Sequence, residues 1–407
     1  MTQPFLSIII PTYNRYGLLQ RHLKDLCHQT LSRDEFEIIV AHDGAKDAEY
    51  QKIRELARVM PYTCKTIATE KNSGPATARN RGASMAKGQV LVFLGDDCIP
   101  TPALLYHHYL AHNRGHVSPL AVQGLTLWAY QLAADDFHNF LFQGGLQANW
   151  NALRDGDKWK QDARGWFLTT NCSVTKDLFE AEGGFYPEFP SAAWEDICLA
   201  TQLVKRGVQT VFVPNALNYH YHKQTLSGFV QRQIREGKSR LILCKVHWEV
   251  SGDMVNPQEL RDYSDEKFNL IYRLAQEADR LTGDDSKELR YNRWATCLRM
   301  ASIKGILEGI RERKGLWQAL PDVHTSEITR HVCGAAGSFE QGDYMMAMQH
   351  SEWALAGNQD NHALLWIRGE IELALGHKAE AIASFQSAVE RGPGNKLAKA
   401  RLAELVV

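Results

Sequence analysis

Two adjacent carboxylates, Asp96 and Asp97, follow the apolar run Val90–Leu94 after a single glycine. Like charges at the end of a buried strand are costly to bring together unless a cation neutralises them. Oxygen ligands suit Mg²⁺ or Mn²⁺, which commonly keep waters and bridge to substrate phosphates. The pair therefore predicts a Mg²⁺ or Mn²⁺ cofactor with a nucleotide diphosphate ligand. The alternative is a simple turn or cap before Pro100.

The elements that must position this pair alternate between strand and helix along the first hundred residues. Strands are predicted at 6–10, 37–41, 63–69 and 89–94, and helices at 15–28, 47–60 and 76–86. Nearly continuous apolar strands between helices indicate an α/β fold with a mostly parallel sheet flanked by helices. Such sheets bind ligands beyond the carboxyl ends of their strands. Polar residues follow the strands at 11–14, 42–44, 72–74 and 95–97, so we expect these loops to converge on one edge.

Three segments of this region resemble the inverting glycosyltransferases of family 2, which have the GT-A fold. They are Ser-Ile-Ile-Ile-Pro-Thr-Tyr-Asn-Arg at 7–15, Glu-Ile-Ile-Val-Ala-His-Asp-Gly at 37–44 and Asn-Ser-Gly-Pro-Ala-Thr-Ala-Arg-Asn-Arg-Gly at 72–82, and the resemblance spans about residues 5–245. It implies that Asp43 holds uracil or another base. The residues that it places on the donor nucleotide are Pro11, Thr12, Tyr13, Asn14, Arg15, Asp43, Asn72, Gly74, Arg79 and Asp96.

The chain departs from the family pattern at two of these motifs. The second loop is often Asp-Asp-Gly-Ser in the family, whereas this chain has His42 first and Ala45 last. The metal motif is usually Asp-x-Asp, whereas this chain has a glycine followed by Asp96 and Asp97. By position Asp97 matches the last aspartate and is expected to be the principal metal ligand. Asp96 is then expected to orient a metal-bound water or the donor ribose.

A second acidic pair supplies the expected general base. Sugar transfer with inversion needs a group that removes the acceptor proton as the hydroxyl attacks the anomeric carbon. Residues 194–199 resemble the family's E-D-x-x-L segment, which implies that Asp196 is the base and that Glu195 holds acceptor or backbone. Trp194, Gly183 and Gly184 are placed on the acceptor or sugar. Without the upstream motifs, acidic residues at a helix start would be dipole-favoured caps.

Two histidines near the end of the resemblance are candidate metal ligands. Residues 217–222 alternate like a strand, which places His220 and His222 on one face. A matching histidine in the family joins the metal or the leaving diphosphate. Either histidine could take that role, and a structural role is the alternative for a single one.

The C-terminal region contains an internal repeat of 34 residues. Ala335 matches Gly369, Gly342 matches Gly376, and Ala347 matches Ala381. This spacing resembles tetratricopeptide repeats. We therefore expect a GT-A glycosyltransferase domain at 1–250, a helical linker region at 251–325 and tetratricopeptide-like repeats with a capping helix at 326–407. A partner-binding groove and a structural cap or dimer surface are equally compatible with the repeats.

The bulk composition restricts partners and location. The chain of 407 residues has 46 basic and 47 acidic residues, so no net field favours nucleic acid. Its eight cysteines occur singly, and no apolar stretch reaches the roughly 18 to 20 residues that cross a membrane. We expect a cytoplasmic protein, and peripheral contact with the inner face of the membrane stays open. The Trp-, Gln- and Asn-rich segment 117–157 is expected on the acceptor side.

The motifs also weigh against other nucleotide-binding enzymes. No G-x-G-x-x-G follows the first strand, and no complete P-loop is present. The sequence therefore predicts metal-assisted, inverting transfer from a nucleotide diphosphate sugar, with UDP as the default, to a hydroxyl of a glycan, lipid-linked or protein acceptor. The alternative from another class is a non-catalytic scaffold that binds a nucleotide sugar and recruits partners, or a second copy of itself, through its helical repeats.

Overall fold

The computed structural model describes residues 3–113, 121–143, 166–208, 210–283, 286–323 and 325–406. The chain divides into two compact units, Met1–Gly228 and Phe229–Val407. The first unit contains a sheet of eight strands, and the described part of the second unit is helical. The expected fold class, an α/β sheet with flanking helices followed by an all-α region, is confirmed.

The strands of the first unit form one mixed sheet in the order β3-β2-β1-β4-β7-β6-β8-β5. Strands β3, β2, β1 and β4 are parallel neighbours, whereas β7 is antiparallel to both β4 and β6. The strand bounds are β1 Leu6–Thr12, β2 Phe36–His42, β3 Cys64–Ala68, β4 Val90–Leu94, β5 Cys98–Pro100, β6 Ala121–Trp128, β7 Asn171–Thr175 and β8 Thr210–His220.

Helices connect these strands, and the first three lie close to the bounds predicted from the sequence. The described helices of this unit are α1 Tyr16–Leu26, α2 Ala48–Arg58, α3 Pro75–Ala83, α4 Leu104–Asn113, α5 Tyr130–Ala133, α6 Asp136–Gln143, α7 Lys176–Ala181 and α8 Glu195–Lys205. Part of the segment 117–157, which was expected on the acceptor side, lies outside the described residues.

Apolar side chains cover both faces of the central strands. On one face Ile8, Ile38 and Val92 are fully buried in a cluster that includes Leu19 and Leu23 of α1. On the other face α3 packs closely, because a Cβ added at Gly82 would lie 2.7 Å from Cγ2 of Ile9. Burial on both faces explains why these strands are continuous apolar runs rather than alternating ones.

Two reversals of chain direction bring late segments to the edge of the sheet where β4 ends. Strand β7 runs against β4 with Asn171 opposite Leu94, so the residues before Asn171 lie beside those after Leu94. Strand β5 runs against β8 with Cys98 opposite His220. The start of β7 and the end of β8 therefore both flank the turn that carries Asp96 and Asp97.

The helix that leaves the first unit continues into a second, helical unit. The described helices are α9 Leu226–Val246, α10 Pro257–Arg261, α11 Asp265–Ala278, α12 Lys287–Arg313, α13 Ser326–Glu340, α14 Tyr344–Gly357, α15 His362–Ala374, α16 Lys378–Arg391 and α17 Lys396–Leu405, with 3-10 helices at Trp248–Asp253 and Gly315–Asp322. No helix in the described ranges has the length and apolar character needed to cross a membrane.

The last helices of this unit recur at the spacing of the sequence repeat. Helices α14 and α16 both follow a glycine of positive φ, Gly342 and Gly376. Asn361 and Asn395, also 34 residues apart, each cap the next helix through their side-chain oxygen. Gly369 approaches Phe385 so closely that an added Cβ would lie 2.6 Å from its ring. The assignment of these helices as tetratricopeptide repeats stays a prediction.

Candidate active site

The acidic pair lies in the turn between β4 and β5. Asp96 and Asp97 are 5% and 7% exposed. The backbone N–H of Tyr221 donates to the carbonyl of Asp97 at 2.8 Å, which continues the pairing of β5 with β8. The end of β8 is therefore fixed beside Asp97.

Both candidate histidines contact Asp97. His220 Nε2 lies 3.2 Å from Asp97 Oδ1, and His222 Nδ1 lies 3.2 Å from Asp97 Oδ2. One ligand atom from each of the three residues falls within 4.8 Å of the others, and the described part of the chain has no second such group. The ring of Trp128 stacks on His220 at 5.2 Å between centroids. Two imidazoles and a carboxylate form a donor set that fits a divalent transition metal.

Arg15 occupies the space beside these ligands. Its Nη1 donates to Asp97 Oδ2 at 2.8 Å and to Asp96 Oδ1 at 3.2 Å. Its Nη2 is 3.4 Å from Nε2 and 3.5 Å from Nδ1 of His222. Thr12 donates its hydroxyl to the other oxygen of Asp96 at 2.7 Å. The loop after β1 thus contacts the acidic pair directly.

These contacts shift the pKa values of the two aspartates in opposite directions. Burial alone would raise the pKa of Asp97, but His220, His222 and Arg15 together hold that pKa well below its ordinary value. Burial and the charge of Asp97 raise the pKa of Asp96 to about 6. Burial also lowers the pKa of His222, which keeps its ring neutral. An ionised carboxylate and a neutral imidazole are the forms that bind a metal.

Asp43 holds the loop that follows β3. Its two carboxylate oxygens accept the backbone N–H groups of Ser73 and Gly74, each at 2.9 Å. Gly74 has φ 94°, and a Cβ there would lie 2.4 Å from the carbonyl oxygen of Phe189, so only glycine fits. Asn72 lies exposed on this loop. Asn72 and Gly74 therefore lie on one loop, and Asp43 contacts that loop. All three residues were expected on the nucleotide side.

The rest of the loop after β1 is held by an acidic residue that the sequence did not indicate. Glu49 accepts the backbone N–H of Asn14 at 2.8 Å and that of Tyr16 at 3.0 Å. Asn14 adopts φ 54°, a left-handed conformation that asparagine tolerates better than most residues. Pro11 and Thr12 end β1, and Tyr13 is 40% exposed on the loop.

His42, which replaces the family's usual aspartate, is completely buried at the end of β2. Among the described residues, neither of its ring nitrogens has a partner within hydrogen-bond geometry. Its Nε2 is 3.6 Å from a carboxylate oxygen of Asp47, and its Nδ1 is 3.8 Å from one of Glu49. The departure from the family motif therefore places a ring, rather than a carboxylate, at the end of β2, with its centroid 6.1 Å from that of Tyr13.

Arg79 is buried against Glu195 rather than open to solvent. Its Nη1 donates to Glu195 Oε1 at 2.7 Å, and its guanidinium lies 5.5 Å from the ring centroid of Phe185. Both partners of this ion pair are less than a tenth exposed. The pair links α3, on the expected nucleotide side, to the first residue of α8, which carries the expected base.

Gly183 and Gly184 form a turn with φ 75° at both positions. Asn80 holds this turn, since its side chain donates to the carbonyl of Phe185 at 2.7 Å and accepts the N–H of Phe185 at 2.9 Å. A Cβ at Gly184 would lie 2.7 Å from Asn80 Oδ1, whereas one at Gly183 would meet nothing within 4 Å. The close approach thus requires glycine at the second position.

Asp196 lies two residues after Trp194, whose φ of 70° is in the left-handed region. Its Oδ1 accepts the backbone N–H of Ile197 at 2.9 Å, and its carboxylate also accepts the N–H of Thr169. Burial, and next the charge of Glu195, raise the pKa of Asp196 to about 7. A carboxylate whose pKa lies near neutral pH is suited to proton transfer.

Asp97 and Asp196 are located at the same edge of the sheet. Thr169 and Thr170 precede β7 and therefore lie beside the turn after β4. Thr169 bonds Asp196 through its N–H, while the carbonyl of Thr170 accepts from Cys98 Sγ at 3.6 Å. Cys98, the residue after Asp97, and the expected base Asp196 thus contact two consecutive residues, Thr170 and Thr169. Sequence reasoning missed these threonines, Glu49 and Trp128, because each acts through contacts between distant segments.

Comparison with known proteins shows which family the chain resembles. The family model described as Glycosyl transferase family 2 matches residues 7–123. Glycosyltransferase AglE of Haloferax volcanii is 30% identical over 243 residues, which cover 59% of this chain and 74% of that protein. Validoxylamine A glucosyltransferase of Streptomyces hygroscopicus subsp. jinggangensis is 28% identical over 225 residues, which cover 50% of this chain and 52% of that protein. The chain thus spans only about half the length of the latter relative.

The solved structures to which the chain is similar share little sequence with it. The mannosyltransferase PcManGT from Pyrobaculum calidifontis, solved with GDP-Man and Mn²⁺, is 15% identical with a TM-score of 0.44, over 89% of this chain and 88% of that one. Residues 1–349 of S. aureus TarS, solved with UDP-GlcNAc, are 17% identical with a TM-score of 0.43, over 83% and 92%. The resemblance expected from the motifs is confirmed by the family model and by the AglE match: the chain belongs to glycosyl transferase family 2.

Proposed function

We propose that the chain transfers a sugar, with inversion, from a nucleotide diphosphate sugar to an acceptor hydroxyl. The observation that carries this proposal is the position of the Asp97–His220–His222 cluster and of Asp196 at one sheet edge, where Thr170 contacts Cys98 and Thr169 contacts Asp196. The first group has the donor set of a metal site, and the second has the pKa of a general base. A donor bound between them would have its diphosphate beside the first group and its anomeric carbon facing an acceptor hydroxyl at Asp196.

In this proposal Asp97, His220 and His222 hold a divalent cation, and Mn²⁺ fits the two nitrogen ligands better than Mg²⁺. The cation supplies positive charge that stabilises a departing diphosphate. The turn after β4 and the loops held by Asp43 and Glu49 orient the nucleotide. UDP is the default nucleotide. These residues do not by themselves select uracil or guanine, so the test uses both UDP- and GDP-sugars.

Asp196 accepts the proton of the acceptor hydroxyl in this mechanism. As the acceptor oxygen forms its bond to the anomeric carbon, the bond from that carbon to the diphosphate oxygen breaks on the opposite face. Glu195 does not take this role, because its charge is bonded to Arg79. Asp196 therefore remains the carboxylate available for the proton, and the product configuration is inverted.

The test is release of nucleoside diphosphate from a panel of UDP- and GDP-sugars with Mn²⁺ and a range of glycan acceptors. We expect Asp196→Asn to retain donor binding and to lose transfer by about 100-fold or more. Asp97→Ala should lose Mn²⁺-dependent donor binding. Asp177→Asn, an exposed carboxylate in the first turn of α7, is the matched control and should be unchanged. Donor binding without any Mn²⁺-dependent release would favour the non-catalytic scaffold, and near-normal transfer by Asp196→Asn would exclude this base.

A further inference from the structure

The Arg15 guanidinium contacts two residues of the proposed metal site, Asp97 and His222, and also Asp96. It donates to both aspartates and lies within 3.5 Å of His222. The oxygen to which it donates at 2.8 Å, Asp97 Oδ2, is also the oxygen that faces His222 Nδ1 at 3.2 Å. Arg15 therefore contacts the atoms that a cation held by Asp97 and His222 would use.

A guanidinium and a divalent cation repel each other strongly at such short range, because the site is largely shielded from water. The two aspartates carry two negative charges, of which Arg15 neutralises one. A divalent ion at Asp97 would make the contact of Arg15 with the same oxygen unfavourable. Metal binding and the observed Arg15 contact thus compete for Asp97 Oδ2.

Each carboxylate has another partner when Arg15 leaves. Asp96 retains the hydroxyl of Thr12 at 2.7 Å, and Asp97 retains both histidines. The Arg15 side chain is 36% exposed and lies just before α1, so it can move without unpacking the core. A planar guanidinium is well matched to phosphate oxygens, which arrive when a nucleotide diphosphate binds.

We propose that Arg15 exchanges between two partners: it neutralises the acidic pair before the donor binds, and it moves to the donor diphosphate when metal and donor bind together. This exchange makes metal binding and donor binding mutually dependent, since each favours the state in which Arg15 has left the aspartates. The inference rests on the proposed function. It adds the expectation that the site binds metal weakly without nucleotide, because Arg15 then competes with the metal for Asp97.

The test measures Mn²⁺ binding to the full chain from the electron paramagnetic resonance signal of free Mn²⁺, without nucleotide and with UDP or GDP. Arg15→Gln removes the charge and keeps a hydrogen-bond donor. We expect this variant to bind Mn²⁺ alone about tenfold more tightly, and to bind the nucleotide at saturating Mn²⁺ about tenfold more weakly, each equivalent to about 1.4 kcal/mol. The two effects have opposite signs, which loss of structure would not produce.

Arg21→Gln is the matched control, because Arg21 lies six residues beyond Arg15, on α1, with its guanidinium 4.6 Å from the ring centroid of Tyr221. It should change neither affinity by more than a small factor. If Arg15→Gln binds Mn²⁺ no more tightly than the unmodified chain, or if both affinities fall together, the exchange is wrong. If the unmodified chain binds neither Mn²⁺ nor the Mn²⁺–nucleotide combination, the proposed function itself fails, and the exchange fails with it.

Discussion

The raised pKa of Asp196 predicts that transfer is lost as the pH falls through about 7. The proposed base must be ionised to accept a proton. With a pKa of about 7, roughly nine tenths of Asp196 is ionised at pH 8 and about one tenth at pH 6. An aspartate with the ordinary value of 3.8 would be ionised across this whole range. The two cases therefore differ by about ninefold in the change of kcat/KM between pH 8 and pH 6.

The assay is the initial rate of nucleoside diphosphate release at low substrate between pH 5 and pH 9, because kcat/KM reports the free enzyme. The profile must be measured at two Mn²⁺ concentrations, since protons compete with a metal for the imidazoles of His220 and His222. A decline caused by those ligands moves with Mn²⁺ concentration, whereas one caused by Asp196 does not. A midpoint near 4, or one that follows the Mn²⁺ concentration, would refute the reasoning.

The same assay can separate the causes of the raised pKa. Glu195→Gln removes a negative charge beside Asp196 and leaves Arg79 to stabilise the ionised form. Both effects lower the pKa of Asp196, so the acid decline should move to lower pH by about one unit, equivalent to about 1.4 kcal/mol. Asp177→Asn should leave it in place. An unchanged midpoint in Glu195→Gln would show that the charge of Glu195 does not act on Asp196.

Two further predictions concern stability, each measured as a change in the denaturation midpoint of the full chain. Gly184→Ala should lower the free energy of unfolding by about 1–3 kcal/mol, because its Cβ would meet Asn80. Gly183→Ala has the same φ but should lower the free energy of unfolding less, because its Cβ has open space. Equal losses would mean that the turn conformation, and not the contact with Asn80, requires glycine. Arg79→Met should cost about 3–5 kcal/mol by leaving Glu195 buried and unpaired, and the combined Arg79→Met and Glu195→Gln change should cost less than Arg79→Met alone. A double variant less stable than Arg79→Met would show that the ion pair is not the source of the loss.

The sequence predicted the four parallel strands well because the information is local. Strands β1, β2 and β4 are buried on both faces, so each is a continuous apolar run whose bounds differ from the prediction by two residues or fewer. The predicted strand at 217–222 instead covers only the end of β8, which runs from Thr210 to His220. His222 therefore lies beyond the strand and still contacts Asp97.

Partner choices within the site could not be predicted because they depend on register between distant segments. Nothing in the motif that contains Arg79 indicates that its guanidinium is bonded to Glu195, 116 residues away. The contacts of Arg15 with Asp96 and Asp97 likewise join residues more than 80 positions apart. Local patterns indicate which residue types reach an edge of the sheet, but not which atoms they meet there.

The buried Arg79–Glu195 pair has a consequence for protein engineering. One charge is carried by α3, which follows the loop bonded to Asp43, and the other by the helix that carries Asp196. A chimaera that takes residues 75–83 from a relative without the matching arginine would leave the buried carboxylate of Glu195 without its ion-pair partner, next to the proposed base. In such a chimaera α3 and the start of α8 are therefore best transplanted together.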